Sequence, residues 1–334
     1  MEKLVSLVTP CYNCEKFLPA YFKSLLSQTY PRLELIFVCD GSTDGTERLI
    51  REAIPRFERR NVSAKLICQE NRGLGGAVAA GIREVTGDYI AWADPDDILM
   101  PDSIAKRADF LSAHPEYGLV RSNGYVYMEG QSTPTGFIVN SKKDKKREEI
   151  FEPYVLFQSY FCPGCYMLRT SAFLQVNPDR TIYPSRFGQN IQLVAPVAYR
   201  YRCGYLDDPL YCYVVYENSM SRNGGVQTLE RQIAQLDGLE DIDIHVLDQI
   251  GGGARSLIPN VKRFFAYRRF YFACRFHDRK KKEEYYRLLR ETGRPGLKCA
   301  VMSRFEYSGA LELLIRFCDR LAPPAGTHRS VRRQ

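Results

Sequence analysis

The sequence predicts an α/β fold in which a mostly parallel central sheet is flanked by helices, followed by a C-terminal helical region. Three observations support this prediction. Through the first 100 residues, short apolar runs alternate with amphipathic segments, and the connections between them are short. The 334 residues are 45% hydrophobic and 26% charged, a composition that allows a substantial core. After the three glycines at 251–253, apolar residues recur at helical spacing in a strongly basic region.

The elements of the first 100 residues are predicted in strict alternation. A strand at 3–8 precedes a helix at 15–28, whose apolar residues recur on one face and whose N-cap is Asn13. A second strand at 33–39 is apolar enough to be buried on both faces, as strands of a parallel sheet are. The elements that follow are a helix from about residue 43, a strand at 64–68, a glycine- and alanine-rich helix at 73–85 and a strand at 89–93.

The pattern becomes mixed after Asp97. A helix is predicted at 103–113 and a long strand or strand pair at 118–128. The charged stretch at 141–149 is predicted to be a solvent-facing loop, and no function is assigned to it. The remaining predicted elements are a short strand at 165–168, a buried helix at 191–199, a tyrosine-rich strand at 205–216 and helices at 261–276, 283–289 and 311–321.

Polar residues follow each of the first four predicted strands. The carboxyl ends of parallel strands meet at one edge of a sheet, and ligands bind beyond that edge. Each motif alone is typical of a turn or a helix cap, but four in succession indicate one shared ligand site. The four motifs are Thr9-Pro10-Cys11-Tyr12-Asn13, Asp40-Gly41-Ser42-Thr43-Asp44-Gly45-Thr46, Glu70-Asn71-Arg72-Gly73 and Asp94-Pro95-Asp96-Asp97.

The fourth motif places three carboxylates, Asp94, Asp96 and Asp97, within four residues. Carboxylates this close repel one another unless a positive charge joins them. Mg²⁺ and Mn²⁺ take oxygen ligands, commonly one or two carboxylates together with substrate phosphates. The structural alternative is an Asp-rich turn that caps the following helix. The three neighbouring strand-end motifs favour the cation, bridging the protein to a diphosphate.

Several classes of protein are disfavoured by features that the sequence lacks. No G-x-G-x-x-G follows the first strand and no G-x-x-x-x-G-K-[ST] occurs, which argues against dehydrogenases and P-loop proteins. No standard nucleic-acid module is present, so no nucleic-acid partner is predicted. No run approaches the roughly 18 apolar residues of a membrane span, and the N-terminus is typical of a strand rather than a signal peptide. We therefore expect a cytoplasmic protein.

The eleven cysteines agree with a reducing compartment. Two pairs have C-x-x-C spacing, Cys11 with Cys14 and Cys162 with Cys165. The pairs are about 150 positions apart, far more than the spacing of zinc ribbons, and neither has a histidine nearby. Coincidence is favoured over a metal or redox site.

The four strand-end motifs, read in order as V-x-L-V-T-P-C-Y-N, D-G-S-T-D-G-T, N-R-G and D-P-D-D, resemble those of the inverting family 2 glycosyltransferases. The resemblance covers about residues 3–220. It implies a nucleotide-binding domain of the GT-A type over 1–222, with a nucleotide-binding half at 1–100 and an acceptor-binding half at 101–222, before a basic helical region at 223–334. It also implies transfer of a hexosyl unit from a nucleoside-diphosphate sugar, by family habit a UDP-sugar, to an acceptor hydroxyl with inversion. Surface polysaccharide or glycoconjugate synthesis is the implied role.

The resemblance also implies which residues line the site. Asp94 and Asp96 would hold a Mg²⁺ or Mn²⁺ ion and the donor diphosphate, with Asp97 nearby. Residues 217–221 resemble a segment that closes over the diphosphate, although a surface loop explains them equally. The residues implied to line the nucleotide are Pro10, Tyr12, Asn13, Asp40, Ser42, Asn71 and Gly73.

The expected catalytic base is missing. In this family the base is usually the aspartate of a Glu-Asp pair at the start of a helix, and the equivalent residues here are Gln189 and Asn190. An amide cannot act as a base near neutral pH. Gln189 and Asn190 would then only position the acceptor, and the base would be Asp207, Asp208, Glu217 or a group of the acceptor itself. The alternative is a non-catalytic nucleotide-sugar-binding protein of the same fold.

The C-terminal region is strongly basic, with 20 Lys/Arg and 7 Asp/Glu from Arg255 onward in a chain of net charge +8. Within 262–275, basic side chains interleave with aromatic ones. This pattern suits a helix on an anionic membrane surface, which would place the protein peripherally on the inner face of the cell membrane with a glycan or lipid-linked acceptor. The alternative is a helical subdomain that packs its aromatic residues inward.

Overall fold

The computed structural model describes residues 2–160, 162–185, 188–216 and 228–304. The chain divides into two compact units. The first contains residues 1–154 and 159–216, and the second contains residues 155–158 and 217–334. The domain boundary predicted at residue 222, the segment at 217–221 and the helix predicted at 311–321 lie outside the described residues.

The first half of the first unit is the predicted strand–helix alternation. Its four strands are parallel neighbours in the order β3-β2-β1-β4, and every residue of β1 and β2 is buried, as expected for a sheet covered on both faces. The elements are β1 (Val5–Cys11), α1 (Leu18–Leu26), β2 (Leu33–Asp40), α2 (Thr46–Glu58), β3 (Ser63–Gln69), α3 (Gly73–Arg83) and β4 (Tyr89–Trp92).

The second half of this unit adds strands of mixed direction to the same sheet. Its elements are β5 (Ile98–Leu99), α4 (Ser103–Ala113), β6 (Tyr117–Met128), β7 (Gly136–Phe137), α5 (Lys142–Lys145), α6 (Phe151–Val155), β8 (Tyr166–Arg169), α7 (Thr170–Val176), α8 (Gln189–Arg200) and β9 (Arg202–Val215). In the described residues the strand order is β3-β2-β1-β4-β8-β6-β9-β5, with β7 paired to β6. β8 runs antiparallel to β4 and β6, whereas β9 runs parallel to β6. The predicted α/β fold with a C-terminal helical region is confirmed.

Two local predictions are wrong. Asn13 does not cap the first helix, because α1 begins after Phe17 and Asn13 lies in a turn with φ +46°. The charged stretch at 141–149 is mostly exposed, as predicted, but it is not a loop throughout, because Lys142–Lys145 form α5. The buried guanidinium of Arg121 donates to the Asp144 carboxylate at 3.3 Å and to the Arg147 carbonyl at 3.0 Å, so this stretch is anchored to the sheet.

The second unit is helical, with α9 (Leu229–Ile250), a 3₁₀ turn at Gly252–Leu257, α10 (Ile258–Arg275), α11 (Arg279–Glu291) and α12 (Leu297–Arg304). Most aromatic residues of α10 lie in its core, so this helix follows the inward-packing alternative. Arg269 is nearly buried and pairs with Asp237 and with Glu240 at 2.6 Å. Within the described residues, no helix combines the length and the apolar character needed to cross a membrane.

Candidate active site

The loops after β1 and β2 are tied together at the carboxyl edge of the sheet. The Asn13 amide donates to Ser42 Oγ at 3.1 Å, and Asn13 Oδ1 accepts from the Thr43 amide at 2.8 Å. Pro10 is buried within β1 opposite Val38. The Tyr12 ring is 52% exposed, which leaves a face free to contact a ligand. The structure therefore brings Asn13 and Ser42 into contact, as the shared-site prediction requires.

The loop after β3 is held by Asp40. Its Oδ1 accepts from the Arg72 amide at 2.9 Å and from Gln69 at 2.6 Å. Gly41 has φ +70°, and a Cβ there would lie 2.7 Å from the Asn71 amide nitrogen, so only glycine fits this approach. Asn71 Oδ1 accepts from the amide of Gly73, which begins α3. Asp40, Asn71 and Gly73 are thus brought together beside the first two loops.

The acidic motif after β4 forms a compact carboxylate cluster. Oxygen atoms of Asp94, Asp96 and Asp97 lie within 4.8 Å of one another. Within the described ranges this is the one group of three acidic, histidine or cysteine side chains placed to share a metal ion. The C-x-x-C thiols are free and buried.

Asp97 has a structural role within this cluster. Its Oδ2 accepts from the Tyr211 hydroxyl and its Oδ1 from the Val214 amide, both at 2.8 Å. Both oxygens are therefore occupied by β9, and the side chain is 1% exposed. Asp97 therefore contributes to the site indirectly: it fixes the turn that carries Asp94 and Asp96.

The electrostatics of the remaining pair suit a cation. Burial, and then the charge of Asp96, raise the pKa of Asp94 to about 7. Burial also raises the pKa of Asp96, although the nearby Lys16 ammonium opposes this shift. Neither carboxylate enters an ion pair with another described residue. Two crowded oxygen donors without a full counter-charge fit a hard divalent cation.

Two residues that support the cluster, Arg107 and Tyr211, were missed by the sequence reasoning. Arg107 is fully buried and donates to the carbonyls of Gly164 at 2.6 Å and Tyr166 at 2.9 Å. Gly164 packs directly on the Tyr211 ring, and a Cβ there would overlap that ring. Burial lowers the pKa of Arg107 to about 10. The glycine in Cys-Pro-Gly-Cys is the sequence signal that indicates a close approach.

The amides that replace the expected base lie at the start of α8. Gly188, with φ +72°, precedes the helix, and Gln189 is buried in its first turn. Asn190 Oδ1 accepts from the Trp92 indole N–H at 2.6 Å. Trp92 ends β4, two residues before Asp94, so Asn190 lies at the same edge of the sheet as the acidic cluster.

The other candidate bases are ion-paired or outside the described residues. Asp207 pairs with Lys145 at 2.6 Å, and that contact, with hydrogen bonds from Tyr205 and Asn123, lowers the pKa of Asp207. It precedes Val214 by seven residues on β9, roughly 20 Å along an extended strand. Asp208 pairs with Lys106 at 2.6 Å. Glu217 is outside the described residues.

The chain matches Glycosyl transferase family 2 over residues 6–176, just over half of its length, and it belongs to that family. The resemblance identified from the strand-end motifs is thereby confirmed. EpsE of Bacillus subtilis, a protein named as a glycosyltransferase, is 31% identical over 191 residues, which are 57% of this chain and 64% of EpsE. Chondroitin synthase of Escherichia coli is 39% identical over 101 residues, 30% of this chain and 14% of the synthase. The chain thus spans less than two thirds of these curated relatives.

Solved structures share the fold at low sequence identity. S. aureus TarS 1–349 in complex with UDP-GlcNAc superposes with a TM-score of 0.57 at 15% identity, covering 86% of this chain and 91% of TarS 1–349. The mannosyltransferase PcManGT from Pyrobaculum calidifontis, in complex with GDP-Man and Mn²⁺, has a TM-score of 0.58 at 17% identity, covering 96% and 84%. At these identities the comparison shows the fold alone.

Proposed function

We propose that this chain is a metal-dependent glycosyltransferase that uses a nucleoside-diphosphate sugar, with a UDP-sugar as the first candidate. Transfer proceeds with inversion to a glycan or lipid-linked acceptor in surface polysaccharide or glycoconjugate synthesis. Family membership and the nucleotide sugars bound by the two structural neighbours support this proposal. Residues 1–222 carry the reaction, and the cytoplasm or the inner face of the membrane is its location.

The observation that carries the proposal is that the three carboxylates of the acidic cluster have different hydrogen-bond partners. Both oxygens of Asp97 accept hydrogen bonds from β9, whereas neither Asp94 nor Asp96 beside it forms an ion pair with another described residue. A turn that only capped a helix would not need two such carboxylates, because their mutual repulsion destabilises the fold. A divalent cation held by Asp94 and Asp96 would neutralise the charge that develops on the departing diphosphate.

The chain's own residues supply nucleotide binding around that pair. Tyr12 offers an exposed aromatic face to a nucleobase. The contacts of Asn13 with Ser42 and Thr43 hold the first two loops at a fixed separation. Asp40 positions the third loop, which leads into α3 at Gly73, and the N-terminus of a helix carries a partial positive charge. The edge therefore has the polarity that a nucleoside diphosphate requires.

The proposal is tested by nucleotide release from a panel of UDP- and GDP-sugars, with Mn²⁺ or Mg²⁺ and with EDTA. We expect slow hydrolysis of one donor, abolished by EDTA. Donor binding without release from any panel member, with or without acceptors, would favour the non-catalytic binding protein. Absence of binding to every nucleotide would contradict both proposals.

A further inference from the structure

The hydrogen bond between Trp92 and Asn190 determines which polar atoms Asn190 can offer to substrates. The indole nitrogen is a donor only, so the amide atom facing it at 2.6 Å is the carbonyl oxygen Oδ1. Trp92 is itself fixed, since it is 1% exposed and stacked on Tyr166 with a centroid separation of 6.3 Å. Asn190 is half-buried, and its remaining polar group is the Nδ2 amide, which has two N–H donors and no acceptor.

Asn190 lies close to the place where the donor sugar would react. Trp92 and Asp94 are two residues apart, about 7 Å along an extended chain. The segment before α8 is also tied to this edge, because the Gly75 amide of α3 donates to the Ser185 carbonyl at 3.0 Å. Asn190 therefore lies near the end of β4, in a segment tied to the start of α3, and it occupies the sequence position at which the family resemblance implies a base.

At that position the hydrogen bond to Trp92 leaves a hydrogen-bond donor where a base would supply an acceptor. A base must accept a proton, yet Asn190 offers only donors. Asp207 and Asp208, the described alternatives, are ion-paired with lysines, and Asp207 is a weak base because its pKa is lowered. An N–H donor favours an oxygen that already carries negative charge. A nucleophile of that kind needs no base.

We propose, on the basis of the function proposed above, that the acceptor attacks through an oxyanion, a phosphate or carboxylate oxygen, which Asn190 Nδ2 holds by hydrogen bonding. The oxyanion forms a bond to the anomeric carbon, the bond from that carbon to the diphosphate oxygen breaks, and the nucleoside diphosphate leaves with the electron pair. No proton is transferred. Asn190 is thus a specificity-determining residue, and Trp92 is the positioning residue that orients it. This replaces the acceptor hydroxyl implied by the family resemblance.

The test is an acceptor comparison in wild type and Asn190→Asp. The variant is isosteric, and its carboxylate still accepts from Trp92, so a structural role alone predicts little change. Nucleotide release is measured with water alone, with a phosphate monoester or a carboxylate, and with the matching uncharged alcohol. In wild type we expect acceleration by one of the anions and none by the alcohol. In Asn190→Asp we expect anion-dependent release to fall at least about tenfold, because like charges repel, and release to water to rise at least about tenfold, because a base is now present.

Controls separate this proposal from the function on which it rests. Asn61→Asp makes the same chemical change at an exposed turn and leaves both rates unaltered. Trp92→Phe removes the indole N–H but keeps an aromatic ring, and we expect the KM for the anion to rise about fivefold while the donor KM stays constant.

Acceleration of wild type by the alcohol, or failure of Asn190→Asp to raise release to water, would overturn the proposal while leaving the transferase assignment intact. Failure of every variant to bind a donor would instead contradict the proposed function, and this proposal with it.

Discussion

Asp94, Asp96 and Asp97 show that three like residues in one short motif have different tasks. The motif D-P-D-D was recognisable in the sequence, but the division of roles within it was not. Asp97 differs from its neighbours because Tyr211 and Val214, more than 110 positions later, donate to both of its oxygens. Among the described residues, neither Asp94 nor Asp96 has a comparable pair of donors from β9, and burial raises the pKa of all three carboxyl groups.

Asp94→Asn should separate stability from activity. The substitution removes one crowded negative charge, so the melting temperature of the metal-free protein should stay the same or rise. Metal-dependent nucleotide release should fall about 100-fold, or about 2.7 kcal/mol of transition-state stabilisation. Differential scanning fluorimetry and the release assay measure the two effects. Asp109→Asn, on the exposed face of α4, is the matched control and should change neither. A large drop in melting temperature for Asp94→Asn would show that the carboxylate is structural.

Asp97→Asn, in contrast to Asp94→Asn, should lower the stability of the protein. In wild type the Tyr211 hydroxyl and the Val214 amide each donate to one Asp97 oxygen. The asparagine amide nitrogen has no acceptor, so one of these two buried donors loses its partner. We expect the free energy of unfolding in urea to fall by about 1–3 kcal/mol. Tyr211→Phe removes one of the two hydrogen bonds and should cost about 1 kcal/mol. Unchanged stability in both variants would rule out the supporting role assigned to Asp97.

At the scale of elements, the site depends on how β9 and the 3₁₀ turn at Pro163–Cys165 meet beside β4. Arg107 of α4 holds this turn through backbone carbonyls, and Gly164 lets Tyr211 lie flat against it. Tyr211 in turn reaches Asp97. A displacement of the turn would therefore move the Tyr211 ring and, with it, the hydroxyl that donates to Asp97.

Gly164→Ala tests this arrangement. The added methyl group would overlap the Tyr211 ring, so the ring or the turn must move. Overpacking of this kind typically costs about 1–3 kcal/mol, which denaturant titration would detect. Gly136→Ala is the matched control, since a Cβ at Gly136 meets no atom within 4 Å. Equal stability of the two variants would argue against a tight Gly164–Tyr211 contact.

The elements differ in how far the sequence could predict them. The strands β1 to β4 and their end motifs were predictable because each motif directly follows an apolar run, and local alternation defines a parallel sheet. The contact between Trp92 and Asn190 joins residues 98 positions apart, and the bonds of Arg107 end on main-chain carbonyls with no residue signature. Such contacts depend on how β8 pairs with β4 and how α8 packs near the sheet, which local sequence patterns do not show. The anchoring of the 141–149 stretch was not predictable for a related reason: its residues are mostly exposed, as their charges indicated, but Arg121, which hydrogen-bonds to it, is distant in sequence.

At the scale of the whole molecule, a sheet-containing unit that carries the site is followed in sequence by a basic helical unit. In α10 four of the six aromatic residues are buried, so most of its aromatic surface is not available to a membrane. Any attraction to an anionic surface must therefore come from exposed basic side chains. Four of these on α11 are Arg279, Lys280, Arg287 and Arg290.

If the protein contacts membrane peripherally through α11, binding should depend on charge. We expect sedimentation with vesicles that contain anionic lipids and none with zwitterionic vesicles. Each basic residue near such a surface contributes about 1 kcal/mol, so Lys280→Glu with Arg287→Glu should weaken binding at least about tenfold. The control pair Arg56→Glu with Arg59→Glu reverses two exposed charges on and just after α2 and should have little effect. Equal binding to neutral vesicles, or none to either kind, would contradict membrane contact through this helix.

The most direct test of the central claim, that Asp94 and Asp96 hold a cation for a nucleoside diphosphate, is calorimetric titration of UDP and GDP into the protein with Mn²⁺ and with EDTA. We expect binding of one nucleotide with Mn²⁺, loss of that binding in EDTA, and at least about tenfold weaker binding to Asp96→Asn with Mn²⁺ present. Binding of the same strength with EDTA, or undiminished binding to Asp96→Asn, would show that these carboxylates do not hold the cation.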